Sequence, residues 1–214
     1  MKKVGIIGSG TVAQTLGSGF LKYNYEVMLG TSDSAKLTEW KEKGGERAHI
    51  GTFEEAAHFG NIIVLSVKGV HACEAIEKAG PQNLLGKTVI DVTNPIAELP
   101  PEDGVLHLFT NSDESLMERL QLQFPGSHFV KAFSCVGSHL MVNPALTERP
   151  TMFICGTNEN AKNEVKKILD MFGWDIADMG KVTAARAIEP LCMLWCIPGF
   201  LNNSWVHAFK LVRG

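Results

Sequence analysis

Lys2–Phe20 reads KKVGIIGSGTVAQTLGSGF, and its two lysines ahead of an apolar stretch match the opening of an export signal as well as that of a globular domain. An export signal needs an unbroken apolar core of roughly 7–15 residues ending at a small-residue cleavage site. Here Gly5, Gly8 and Gly10 interrupt the run, and Ser9, Thr11 and Gln14 make it polar at short intervals. The stretch therefore reads as a short buried strand, Val4 to Ile7, a tight glycine turn, and a helix from near Thr11. Val12, Ala13, Leu16 and Phe20 recur at the spacing of one helical face.

Outward from this unit the alternation continues. Strands are expected at 26–30, 48–50, 61–67 and 87–93, with helices through Ala35, Leu37 and Trp40, over 53–58 and over 70–79. The run IIVLSV at 62–67 is apolar throughout, as a strand buried on both faces must be. Asn94, Pro95, Pro100, Pro101 and Gly104 then break the pattern, crossing between halves of one unit or marking a boundary. It resumes with a helix at 114–122, strands at 128–133 and 151–155, a helix at 161–172 and a strand at 174–178. The last segment, 183–212, is expected to be largely helical, kinked at Pro190 and broken around Pro198 and Gly199. Strands separated by helices define βαβ units. The fold class is α/β: a Rossmann-type, doubly wound, mostly parallel sheet with a small helical C-terminal portion, divided at 1–180 and 181–214.

Composition narrows the function classes. The chain has 214 residues, 45% hydrophobic and 20% charged, with a net charge of −3 and no basic block, so neither nucleic acid nor an anionic membrane surface is an expected partner. The apolar run Pro190–Leu201 is shorter than the roughly 20 residues a bilayer needs, and the expected location is cytoplasmic. Cys73, Cys135, Cys155, Cys192 and Cys196 are scattered at spacings that complete no four-ligand metal set, and read as reduced, buried thiols.

Gly8, Gly10 and Ala13 form G-x-G-x-x-A directly after a strand and at the start of a helix, the context that makes this motif a dinucleotide fingerprint. Gly8 permits the turn, Gly10 leaves room for a pyrophosphate, and Ala13 allows close helix–strand packing. The helix start offers free N–H groups and a positive dipole end. An NAD site places a carboxylate about 20 residues further on. That position here holds Gly30, Thr31 and Ser32, with Lys36 one helical turn beyond, a set suited to the 2′-phosphate of NADP. Asp33 is assigned to capping the next helix. Ligands in open α/β sheets lie at the carboxyl ends of the strands, so Ser66, Val67 and Lys68, then Thr93, Asn94 and Pro95, then Phe133 and Ser134 are candidates to line a nicotinamide pocket, with Lys68 equally well explained as a solvated residue. Asp91, inside an apolar strand, reads as a carboxylate bonded to loop amides.

GIIGSGTVAQTL, LGTSDSAK, VIDVTNP, VKAFSCVGS, FICGTNENAKNEV and ARAIEPL occur in an order and spacing that resemble the NADPH-dependent reductases of the deazaflavin coenzyme F420. They are also similar to the cytosolic domain of the six-transmembrane epithelial antigen metalloreductases. The resemblance spans nearly the whole chain. It implies a homodimer that passes hydride between NADP and a deazaflavin or flavin-like ring. By position, the family's pyrophosphate loop falls on Ser9, Gly10, Thr11 and Val12, its 2′-phosphate site on Thr31, Ser32 and Lys36, and its nicotinamide contacts on Val67, Asn94 and Ser138. Ser32 replaces the family's usual arginine, and Ser134 stands where a histidine can sit beside the hydride path.

Hydride transfer asks for positioning and exclusion of water more than for acid–base groups. Ser134 and His139 are the candidate catalytic residues, with His107 a further proton donor. Met193, Trp195, Phe200 and Trp205 serve either as a roof over the acceptor ring or as a dimer seam. Three function classes follow: an NADPH oxidoreductase acting on a small-molecule deazaflavin or flavin, an NADP-binding sensor or scaffold without turnover, and a dehydrogenase of a small imine or hydroxy acid.

Overall fold

The computed structural model describes residues 2–212 and Gly214. β1 (Lys3–Ile7), β2 (Glu26–Gly30), β3 (Ala48–Gly51), β4 (Ile62–Leu65), β5 (Thr88–Asp91) and β6 (His128–Lys131) form one six-stranded sheet in the order β3-β2-β1-β4-β5-β6. Every pairing is parallel. The order reverses beside β1, which creates the crevice that dinucleotide folds use. β7 (Thr151–Ile154) and β8 (Asp175–Asp178) pair in parallel as a second small sheet, joined to β6 by an antiparallel bridge between Lys131 and Cys155.

Side-chain alternation along the strands sorts residues to two faces. Val4, Ile6, Ile62 and Val64 point to a core shared with α1 (Thr11–Lys22), α2 (Thr38–Gly44) and α6 (Glu159–Met171), where Phe20, Trp40, Phe172 and Trp174 are packed. Ile7, Ile63 and Leu65 point the other way, onto α3 (Phe53–Phe59), α4 (Ala72–Ala79) and α5 (Leu116–Gln123). Two of those helices open on reciprocal capping boxes, Thr52 with Glu55 and Ser115 with Glu118.

The C-terminal segment departs from the sequence expectation. α7 (Ala185–Ile188) and α8 (Leu191–Asn202) meet at Pro190, as the kink required. Pro198, however, lies inside α8 and does not break it. Proline has no N–H to donate to the carbonyl four residues earlier, that of Leu194, yet the helix continues past it to Asn202. The helix ends at Asn203 in the left-handed conformation, and residues 203–212 are not helical. They fold back: Trp205 lies so close to Gly199 that a Cβ there would sit 2.2 Å from its ring. The Thr151 N–H then donates to the Phe209 carbonyl at 2.8 Å, which docks the tail on the edge of β7. The helical run Val182–Asn202 has 21 residues and reaches the length and apolarity of a membrane span, against the expectation of a run too short. The buried Glu189 and the ion-paired Arg186 lie within it.

Candidate functional site

The carboxyl ends of the central strands converge on one edge. Gly8, after β1, has φ +137°, and a Cβ there would lie 2.0 Å from the Ser66 carbonyl oxygen after β4, so only glycine fits. Gly10 differs: a Cβ would meet nothing within 4 Å. No side chain caps α1 at Gly10, so the first-turn N–H groups face this open side. Gln14 holds the loop from behind, its Nε2 donating to the Ser9 carbonyl at 2.9 Å.

At the end of β2, Thr31 is buried and its hydroxyl is engaged, donating toward Ser9 Oγ at 3.1 Å and accepting from the Asp33 N–H at 3.0 Å. Thr31 thus ties the glycine loop to the following turn instead of presenting a free hydroxyl. Asp33 does cap the short helical turn Ser34–Leu37 through the Ala35 N–H. Its second oxygen lies 3.4 Å from Lys36 Nζ, both groups exposed. Ser32 and Lys36 are both exposed.

At the ends of β5 and β6, Asn94 Nδ2 donates to the Ser134 carbonyl at 2.9 Å. Asn94 Oδ1 and Ser134 Oγ are buried with no hydrogen-bond partner among the described residues. Such atoms cost free energy unless a ligand satisfies them. Phe133 makes the turn that places Ser134, adopting φ +61° with its ring in the core. Pro95 is buried, and Ser138 opens the helical turn Ser138–Leu140 with His139 exposed. Trp195 of α8 lies against Gly137, where a Cβ would come within 2.6 Å of the indole. A cleft of about 400 Å³ lined by Val67, Val70, Val92, Asn94 and Ile96 lies beside Asn94. Lys68 pairs at 3.3 Å with Glu98 at this cleft's exposed rim. A larger hollow of about 550 Å³, lined by Lys2, Thr88 and His128, opens at the opposite, amino-terminal ends of the strands.

The open cradle at Gly10, the unpartnered Asn94 and Ser134 atoms and the cation at Lys36 together fit a phosphorylated dinucleotide stretched along this edge. The Asp33 carboxylate beside Lys36 weakens the phosphate end of that fit.

One buried cluster escapes sequence reasoning. Lys131 on β6 lies 2.7 Å from Asp91 Oδ2, 2.8 Å from Glu189 Oε1 and donates to the Thr93 carbonyl at 2.9 Å, with all three charged side chains at 0–1% exposure. Asp91 Oδ1 accepts from the Thr93 N–H at 2.9 Å and from its hydroxyl at 2.6 Å, which bears out the loop-holding reading of Asp91. Glu189 accepts the Leu116 and Met117 N–H groups of the first turn of α5, the two that the Ser115–Glu118 capping box leaves free. Burial alone would lower the Lys131 pKa, but the two carboxylates overcome it and hold the ammonium above its ordinary range. The signal was a lone lysine in the apolar strand HFVKAF. Its two partners, 40 and 58 residues away, come together only through the β5–β6 register and the docking of α7.

The thiols of Cys135, Cys155 and Cys192 are buried and pushed up to about 12, by burial first of all, so they are unreactive.

This fold and edge define a Rossmann-type dinucleotide-binding domain with a helical C-terminal extension. Within that class, residues 3–95 are similar to the family model described as NADP oxidoreductase, coenzyme F420-dependent. A solved structure from Arthrobacter sp. FB24, assigned provisionally as an F420-dependent NADP-reductase, superposes with a TM-score of 0.91 at 29% identity over 100% of both chains. The metalloreductase STEAP3 of Rattus norvegicus is 28% identical over 99% of this chain and 42% of its own length. The chain thus spans about two-fifths of that relative. A Streptomyces aurantiacus imine reductase shares the fold alone, with a TM-score of 0.69 at 16% identity over 94% of this chain and 63% of its own.

Proposed function

We propose that the chain binds NADP(H) along the carboxyl edge of its sheet and passes hydride between the nicotinamide and a deazaflavin or flavin-like acceptor. The observation that carries this reading is the pair of buried, unpartnered atoms, Asn94 Oδ1 and Ser134 Oγ, after β5 and β6, on the same carboxyl edge of the sheet as the open Gly10 cradle. Bound NADPH supplies the hydride. The first-turn N–H groups of Thr11, Val12 and Ala13 hold the pyrophosphate, with Ser9 and Gly10 shaping the loop. Ser32 and Lys36 take the 2′-phosphate while Thr31 fixes that loop. Ser66, Val67, Pro95 and Ser138 border the nicotinamide, and Asn94 Oδ1 accepts from its carboxamide. Ser134 Oγ faces the transfer position, and His139 stands ready as a proton donor at the rim. The acceptor class rests on the full-length similarity to the Arthrobacter structure.

Residues 1–180 would form the cofactor unit and 181–214 the acceptor side. We propose a homodimer, because Leu194, Phe200 and Leu201 leave apolar surface of α8 exposed, as a self-complementary seam requires, and a cytoplasmic location for it.

The test is catalytic loss of NADPH absorbance on adding F420, FMN or FAD to the purified protein. Acceptor-dependent turnover supports an oxidoreductase. Stoichiometric NADPH binding without turnover of any of the three points to the sensor reading, and turnover of a small imine instead would overturn the ring acceptor.

A further inference from the structure

We propose that Lys131 is a positioning residue, which fixes the Asn94 turn and the start of the C-terminal helices to one buried point and so sets the nicotinamide end of the site without touching it. This rests on the dinucleotide reading above. Three chain segments meet at its ammonium: the β5 tip through Asp91 and the Thr93 carbonyl, α7 through Glu189, and, by way of Glu189, the N–H groups opening α5. Asn94 is the residue after Thr93, and Trp195, six residues beyond Glu189, packs on the Gly137 loop that follows Ser134. Both walls of the candidate nicotinamide site are therefore anchored to the same atom, while the glycine loop and the Thr31–Lys36 turn have no contact with it.

Stability does not explain the cluster. Replacing buried ion pairs with apolar groups of similar volume is often neutral or stabilising. An ammonium with two carboxylates and a carbonyl instead specifies where each chain must stop, because each partner left unpaired would be a buried charge or dipole. The geometry is that of a fixed joint between two loops.

The test compares wild type with the near-isosteric triple variant Asp91→Asn, Lys131→Met, Glu189→Gln, and with Lys131→Met alone. The triple variant carries no charge in this cluster and keeps the experiment decisive if the single one does not fold. The first readout is amide hydrogen exchange of the full chain without ligand. Loss of charge-assisted bonds is expected to quicken exchange about tenfold to a hundredfold at 92–97 and 189–196 together, with 8–14 unchanged. The second is affinity: 2′,5′-ADP binding should hold, while the fluorescence signature of bound NADPH is lost. Unchanged exchange at 92–97, faster exchange across the whole sheet, or equal loss of both ligands each overturns the proposal and leaves Lys131 as a residue of the fold only. If wild type binds neither ligand, the dinucleotide reading fails, and the exchange data alone decide whether Lys131 joins the two segments.

Discussion

Exchanging each fingerprint glycine for alanine separates folding from binding at two positions two residues apart. At Gly8 the added Cβ is forced to φ +137° and 2.0 Å from the Ser66 carbonyl oxygen. The left-handed backbone costs about 1–2 kcal/mol, and the shift needed to relieve a backbone overlap adds roughly 1–3 kcal/mol. For a domain of this size each kcal/mol lowers Tm by about 2–4 °C, so Gly8→Ala should melt roughly 4–20 °C below wild type. At Gly10 the backbone is extended, with φ −73°, and the Cβ enters open space. Reduced unfolded-state entropy stabilises by about 0.4–1 kcal/mol, and the loss of a preferred N-cap residue costs a similar amount, so Gly10→Ala should melt within about 3 °C of wild type. The methyl instead fills the space a pyrophosphate needs. An overlap of about 1–3 kcal/mol then weakens NADPH binding roughly fivefold to 150-fold. Differential scanning fluorimetry and calorimetric titration with NADPH read the two quantities independently. A Gly10→Ala protein that binds NADPH as wild type does would refute the cradle assignment. A Gly8→Ala protein with unchanged Tm would refute the packing argument.

Lys36→Ala should weaken NADP by up to about tenfold and leave NAD binding unchanged, since an exposed cation is screened and here shared with Asp33; calorimetry with both dinucleotides checks it. Asn94→Leu gives up the Nδ2 bond to the buried Ser134 carbonyl, at a cost of about 1–3 kcal/mol, so Tm should fall by roughly 2–12 °C, while NADPH-dependent turnover of the folded protein falls about tenfold or more in a steady-state assay. Arg186, donating bidentately to Glu118 at 2.7 and 2.9 Å, is the first cause holding that carboxyl below its ordinary 4.5, against the opposing effect of burial. The group therefore contributes stability in full above that ordinary value and loses it as pH falls through the lower folded value, so a Tm profile over the acid range should flatten in Glu118→Gln. Leu201→Arg should convert the proposed dimer to monomer in sedimentation velocity, and an unchanged sedimentation coefficient with a dimeric wild type would remove α8 from the seam.

The amino-acid sequence by itself determined the local units. The glycine turn after β1, the apolar run of β4 and the Asp33 cap are written in neighbouring residues, because turn conformation, strand burial and capping depend on side chains only a few positions apart. The mostly parallel, doubly wound class followed from them, since βαβ crossovers leave few topologies. What lay beyond reach depended on partners distant along the chain. Pro198 reads as a helix breaker, yet α8 runs through it to Asn202. The run after Asn202 reads as helical, but the stacking of His207 on Trp195 and the docking on β7 set its path. Thr31 reads as a phosphate-binding hydroxyl, whereas the approach of Ser9 had already engaged it. Lys131, Asp91 and Glu189 are separated by 40 and 58 residues, and only the register of β5 against β6 and the seating of α7 on α5 bring three charges into a space that excludes water. A buried ion cluster is a property of that enclosure, because no charge is buried until every wall around it is in place.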